Sequence, residues 1–125
     1  MKTGNGTVNG TLTATAFYQS SDERLKTFYD EIPVDFEKLT KLRKSYFKYN
    51  DNEKMQIGVS AQEVNELYPE IIHTNKDGYK SVDYSKLSVV ALKAIDILVE
   101  ENKELKEKIS EMEARLVKLE KLLNS

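Results

Sequence analysis

The chain has 125 residues, a formal net charge of −2, no cysteine, no tryptophan and one histidine. Its charged share of 32% exceeds the roughly 25% usual in globular chains. These figures exclude a disulfide scaffold, a Cys-based zinc site and a His-rich metal site, and the near-neutral balance argues against nucleic acid as a partner. No apolar run approaches the ~18 residues of a membrane span.

Residues 1–20 are rich in Gly, Thr and Asn and contain one short strand pattern, Leu12 to Tyr18. They read as the end of a β-rich element whose main part lies upstream. Ser20 to Glu31 has helix character, with Ser20 as N-cap and Glu23 closing a capping box, and Pro33 ends it. Val34 to Leu42 is a second short helix with Phe36, Leu39 and Leu42 on one face. Ser45 to Tyr49 alternates like a strand. Asn50-Asp51-Asn52 turns the chain, and Met55 to Val59 is the returning strand. Ala61 to Tyr68 is a helix that stops at Pro69. Glu70 to Thr74 and Tyr79 to Val82 form a hairpin about Asn75-Lys76-Asp77-Gly78, where Asp-Gly is the turn signal. A long helix then starts between Asp83 and Ser85.

The excess charge belongs to that last helix. Ile95, Leu98, Asn102, Leu105, Ile109, Met112, Leu116, Leu119 and Leu123 follow one another at alternating steps of three and four. This is a heptad seam of about four heptads, with Ile95 at a and Leu98 at d. In a parallel coiled coil, a g residue faces the e residue five positions on in the neighbouring chain. Those pairs are Glu101 with Lys106, Lys108 with Glu113 and Arg115 with Glu120, all opposite in sign. Seam and charges therefore specify parallel self-association, and Asn102 at an a position fixes register at a cost in stability. Mixed Ile and Leu at a, with Met and Leu at d, leaves two and three strands both open.

Among chemistry-bearing residues, Ser21-Asp22-Glu23-Arg24-Leu25-Lys26 stands out. It resembles the Ser-Asp-x-Arg-x-Lys signature that opens the intramolecular chaperone auto-processing domain of phage tailspikes, tail fibres and neck appendages. Ile57-Gly58-Val59-Ser60-Ala61-Gln62-Glu63-Val64, with Tyr68-Pro69-Glu70-Ile71-Ile72, resembles the second block of that family. Val82-Asp83-Tyr84 and the long helix resemble the third.

The resemblance implies an α+β fold. A small mixed head with short β-hairpins, residues 21–90, precedes a C-terminal helix, 91–125, in a parallel trimeric coiled coil; residues 1–20 are a stem remnant. It implies a homotrimer that assists folding of the preceding stem of the same polypeptide and then releases itself by cutting between Ser20 and Ser21. Ser21 and Lys26 would be the catalytic dyad, with Asp22 and Arg24 in support. No cofactor, metal, nucleic acid or membrane is implied. The setting would be the host cytoplasm during virion assembly, with the stem kept in the virion tail.

The chemistry sets conditions. A serine hydroxyl needs a base, and a lysine is a base only when neutral, a state favoured by burial or a nearby cation such as Arg24. The first turn of the expected Ser21–Glu31 helix would add a positive dipole end and free N–H groups for an oxyanion. Residues five apart on an ideal helix point about 140° apart. Either Ser21 therefore precedes the helix, or Lys26 meets a serine from another chain. A non-catalytic trimerisation domain, with the serine as a cap and Lys26 solvated, is the alternative. His73 and Gly58 are read as structural or surface positions, and the basic run Lys38, Lys41, Arg43 and Lys44 as a solvated face, with an anion or nucleotide contact as the weaker reading.

Overall fold

The computed structural model describes residues 4–125. The chain forms two compact units, residues 1–31 and 32–125.

In the first unit the only regular element among the described residues is a 3₁₀ turn, Glu23–Leu25. Two expectations are corrected here. The strand pattern at Leu12–Tyr18 forms no ladder among the described residues, because an extended segment is a strand only when another pairs with it. The helix expected over Ser20–Glu31 shrinks to the single turn, and its cap is Asp22 instead of Ser20. Residues 21–31 are exposed throughout, so a helix there has no apolar face to bury, and short unpacked helices are marginal in water. Thr27, Phe28 and Tyr29 add weak helix propensity.

The second unit follows the expected order. α1 is Phe36–Lys41, β1 Ser45–Phe47, β2 Gln56–Gly58, α2 Ala61–Leu67, β3 Ile72–Thr74, β4 Lys80–Val82 and α3 Tyr84–Leu123. A second 3₁₀ turn, Pro69–Ile71, separates α2 from β3. Each α-helix begins on a side-chain cap: Asp35, Ser60 and Asp83 accept from the amides of Lys38, Glu63 and Lys86.

β1 and β2 form one antiparallel hairpin, with Tyr46 opposite Ile57, and β3 and β4 form another, with His73 opposite Ser81. The second turn is explicit in the sequence. Asn75 pairs with Tyr79 at 2.9 Å, its side chain accepts from Asp77 and Tyr79, and Gly78 takes φ +87°. That is a three-residue loop closed by a left-handed glycine, a position an L side chain rarely adopts.

The core is small. Val64 is fully buried and packs with Leu42, Tyr68, Ile71 and Val90, surrounded by half-buried Leu39, Val59, Leu87 and others. α1, α2 and the first two turns of α3 thus share one apolar centre. The Asp83 amide donates to the Ile71 carbonyl at 2.9 Å and pins the start of α3 to the second 3₁₀ turn.

Gly58 shows how close this packing is. A Cβ there would stand 2.5 Å from the Tyr84 hydroxyl and 2.8 Å from Phe47 Cε1. The same hydroxyl accepts the Val59 amide at 3.1 Å, joining β2 to α3. Gly58→Ala should therefore lower head stability by about 1–3 kcal/mol, as overpacking does. Urea unfolding checks it. Adding Tyr84→Phe removes the nearer obstacle and should make the alanine cheaper than it is in the wild-type background.

Tyr68 is the second tie. Its hydroxyl donates to the Pro33 carbonyl at 2.7 Å. Burial, followed by the charges of Asp35 and Glu70, raises its pKa above the ordinary tyrosine value. The neutral phenol is the favoured folded form, so its contribution is complete below the unfolded pKa of about 10 and is lost as pH rises through the folded value. Tyr68→Phe should cost about 1 kcal/mol at pH 7. The gap to wild type should narrow when unfolding is repeated under alkaline conditions; a gap that widens with pH contradicts the assignment.

α3 has 40 residues, about 60 Å at 1.5 Å per residue. Val90 and Ala94 are buried against the head. Ile97 is half-buried, and every residue of the helix beyond it is exposed. The apolar seam residues are exposed from 50% at Leu98 to 83% at Leu123. No helix among the described residues is long and apolar enough to cross a membrane.

Candidate functional site

The hexapeptide 21–26 folds on itself. Ser21 lies before the 3₁₀ turn, Asp22 caps it, and Lys26 follows it in extended conformation. Lys26 Nζ lies 2.5 Å from Ser21 Oγ. The helical-wheel difficulty thus disappears, because neither residue is inside a helix. A tight turn of three residues brings together, within one chain, two side chains that a regular helix would hold apart.

Asp22 and Arg24 shape that turn. The Arg24 amide donates to Asp22 Oδ1 at 2.9 Å. The guanidinium adds two bonds to the same carboxylate, Nε to Oδ1 at 3.1 Å and Nη2 to Oδ2 at 2.8 Å. This pairing holds the Asp22 carboxyl below the usual carboxylate range, and the Arg24 side chain accounts for the largest part of that. A depressed carboxylate favours the turn above the ordinary aspartate pKa and ceases to do so as pH falls through the lowered value. The pair lies in solvent, so it serves as a geometric clamp more than as a source of stability.

The same bonds bear on the surrounding chemistry. Arg24 is the nearest cation in sequence to Lys26, and its charge is offset by Asp22. The Leu25 amide donates to Asp22 O at 3.0 Å and the Lys26 amide to Glu23 O at 3.2 Å. The amides of 24, 25 and 26 are therefore spent inside the turn. With the expected helix absent, its dipole end is absent as well, and these three amides are not available to an oxyanion. Lys26 Nζ stands 6.0 Å from the centroid of the Phe28 ring, the outer limit of a cation–π contact. Ser21 and Lys26 are both exposed, so this unit by itself does not dry the site.

Ser20, Ser21, Asp22, Arg24 and Lys26 are thus contiguous, while the seam from Ile95 to Leu123 is a separate feature on α3. The other polar residues considered earlier have structural partners or lie in solvent. Lys41 pairs with Glu37 at 3.0 Å and Arg43 with Glu63 at 2.7 Å. Lys44 Nζ donates to the Leu39 and Thr40 carbonyls at 3.2 and 3.1 Å, closing the end of α1. The Arg43 side chain is the main cause of a lowered Glu63 pKa, and this tie links the α1–β1 junction to α2 across 20 residues of sequence. Sequence reading missed that contact, since a basic run gives no sign of its acidic partner. His73 is exposed in β3. No cluster of His, Cys, Asp or Glu able to hold a metal occurs among the described residues.

Residues 21–73 match a peptidase family described as chaperone of endosialidase. The match opens on Ser21, runs through both helices and the first hairpin, and ends in β3. No curated protein and no solved structure matches the chain.

Proposed function

We propose, from the match of residues 21–73 to the family described as chaperone of endosialidase, that the chain is a trimeric, self-cleaving chaperone for the β-rich stem preceding it. The observation that carries the catalytic half is the 2.5 Å approach of Lys26 Nζ to Ser21 Oγ, in a motif at which the family match begins. The assembly half rests on the exposed heptad seam of α3 and its three complementary g–e pairs.

Lys26, in its neutral form, takes the Ser21 hydroxyl proton. Ser21 Oγ then attacks the carbonyl carbon of Ser20, forming the C–O bond as the Ser20–Ser21 C–N bond breaks. The released amine of Ser21 takes up a proton. Water hydrolyses the resulting ester, restores the hydroxyl and leaves Ser20 with a carboxylate. Both dyad residues are open to solvent in one chain, so the neutral lysine requires cover from elsewhere. Neighbouring subunits or the folded stem supply it, which makes the cut wait for assembly.

Chaperoning follows from the stalk. A parallel coiled coil holds three stem ends in register and raises their local concentration, removing much of the association cost before the stem nucleates. Cleavage then makes the result irreversible. The setting is the host cytoplasm during virion assembly, with the stem retained in the virion tail and the chaperone released.

Intact-mass spectrometry of the chain expressed with its upstream stem tests this. The released product should begin at Ser21, and sedimentation should give a trimer. An uncut, correctly assembled trimer returns the chain to a permanent, non-catalytic trimerisation domain.

A further inference from the structure

The head of this chain carries an apolar groove that its own residues leave open. It lies where α1 and β2 meet α3 and is lined by Leu39, Leu42, Val59, Leu87, Ala94 and Ile95, among others. Its volume is about 300 Å³, roughly twice that of the ~150 Å³ apolar cavity that accommodates benzene. Ile95, at one edge, is also the first a residue of the stalk seam. Groove and seam are therefore one continuous apolar surface.

The sequence of α3 shows what completes it. Carried upstream in the same register, the seam places Ser88 at a and Ala91 at d. Both are too small to fill a helix–helix interface. Large apolar residues stand instead at the flanking e positions, Leu92 and Val99, where the lower stalk has Lys106, Glu113 and Glu120. Leu92 and Val99 are 62% and 61% exposed, so nothing in their own chain covers them.

The facing g positions change in the same way. They are Leu87 and Ala94 beside the head, against Glu101, Lys108 and Arg115 below. The pairing rule that gives three complementary charge pairs in the lower stalk gives Leu87 with Leu92 and Ala94 with Val99 in the upper part. Leu87 and Ala94 both line the groove.

We infer that Leu92 and Val99 of a neighbouring copy fill the groove formed by Leu39, Leu42, Val59, Leu87 and Ala94, so that each head core is completed by the next subunit's helix. The occupant is a second copy because the charge pairs in the lower stalk fix a parallel partner in this register. A peptide of unrelated sequence would meet no such continuation. The upper two turns of the stalk are then part of a shared core, and only the lower turns form a solvent-flanked coiled coil. This rests on the oligomer proposed above, and it adds a dependence of head folding on the neighbouring chain.

Two measurements on the full chain test it. In the first, Leu92→p-benzoylphenylalanine is made in unlabelled chains, which are mixed with ¹⁵N-labelled wild type, reassembled and irradiated. Mixed-isotope crosslinks should join residue 92 of one copy to peptides spanning residues 39–44 or 87–94 of the other. Crosslinks confined to a single chain, or reaching only the lower stalk, overturn the contact. In the second, Leu92→Ser/Val99→Ser keeps the lower seam intact. It should remain oligomeric in sedimentation, while amides in α2 and in residues 87–94 exchange at least about tenfold faster than in wild type. An oligomer with unchanged exchange overturns the shared core and leaves the trimer standing. A monomeric wild-type chain overturns both.

Discussion

Ser21→Ala, expressed with the upstream stem, should leave the chain at full length under conditions where wild type is cut. Removing the nucleophile of such a pair costs at least about a thousandfold in rate, because water lacks the positioning that the turn gives the hydroxyl. The alanine variant should still assemble. Ser21 Oγ caps nothing in the turn, since that role belongs to Asp22, and no structural reason for lost assembly accompanies the lost cut.

Lys26 separates base from charge. Lys26→Ala removes both amine and charge, whereas Lys26→Arg keeps the charge on a group that does not act as a base at neutral pH. Both should block cleavage to a similar extent. Arginine that restores cleavage would show that the cation matters and the proton transfer does not, which removes the dyad mechanism. The intact mass of each variant is the readout, with sedimentation confirming assembly.

Ile109→Asp should convert the oligomer to monomer at micromolar concentration. Ile109 lies at an a position in the middle of the seam, 53% exposed in the single chain. A trimer would bring its three copies together in a dry layer, and the variant would place three carboxylates there. Burying an unpaired carboxylate costs several kcal/mol, and like charges add to this. The flanking g–e pairs, at about 0.2–1 kcal/mol each, do not offset it. Circular dichroism should show a loss of helix as well, because the part of α3 beyond the head has no packing left and isolated helices fray. With the stem attached, the same variant should remain uncut although Ser21 and Lys26 are intact. Cleavage in a monomer would show that the site needs no neighbour to become active.

Much of the second unit was legible in the sequence because its signals are local. Asp35, Ser60 and Asp83 are caps directly before apolar-periodic segments, and Pro69 closes α2. Asn75 and Gly78 determine their turn through side-chain acceptance and a left-handed φ. Residues 12–31 were misread for the same reason in reverse. Strand and helix patterns there have correct local chemistry, but no strand to pair with and no apolar face to bury. The candidate site was legible as a motif and illegible as geometry. Five positions on a helix and five positions across a three-residue turn are the same string, and only the observed turn brings Lys26 Nζ to Ser21 Oγ.

By itself, the sequence located the charge excess in the last helix. Its heptads and g–e pairs carry the expectation of parallel self-association, and its hexapeptide carries the resemblance from which the residues of the proposed cut are taken. Tertiary structure decided the rest. It replaced a helix with a clamped turn at Ser21–Lys26, paired the basic run with Glu37 and Glu63, set Gly58 against Tyr84, and left an unfilled groove beside Leu87 and Ala94. The Arg43–Glu63 pair, the Gly58–Tyr84 contact and the groove depend on which distant residues meet in packing a small core, whereas the turn and the Glu37 pair are local contacts that the sequence pattern left open between conformations.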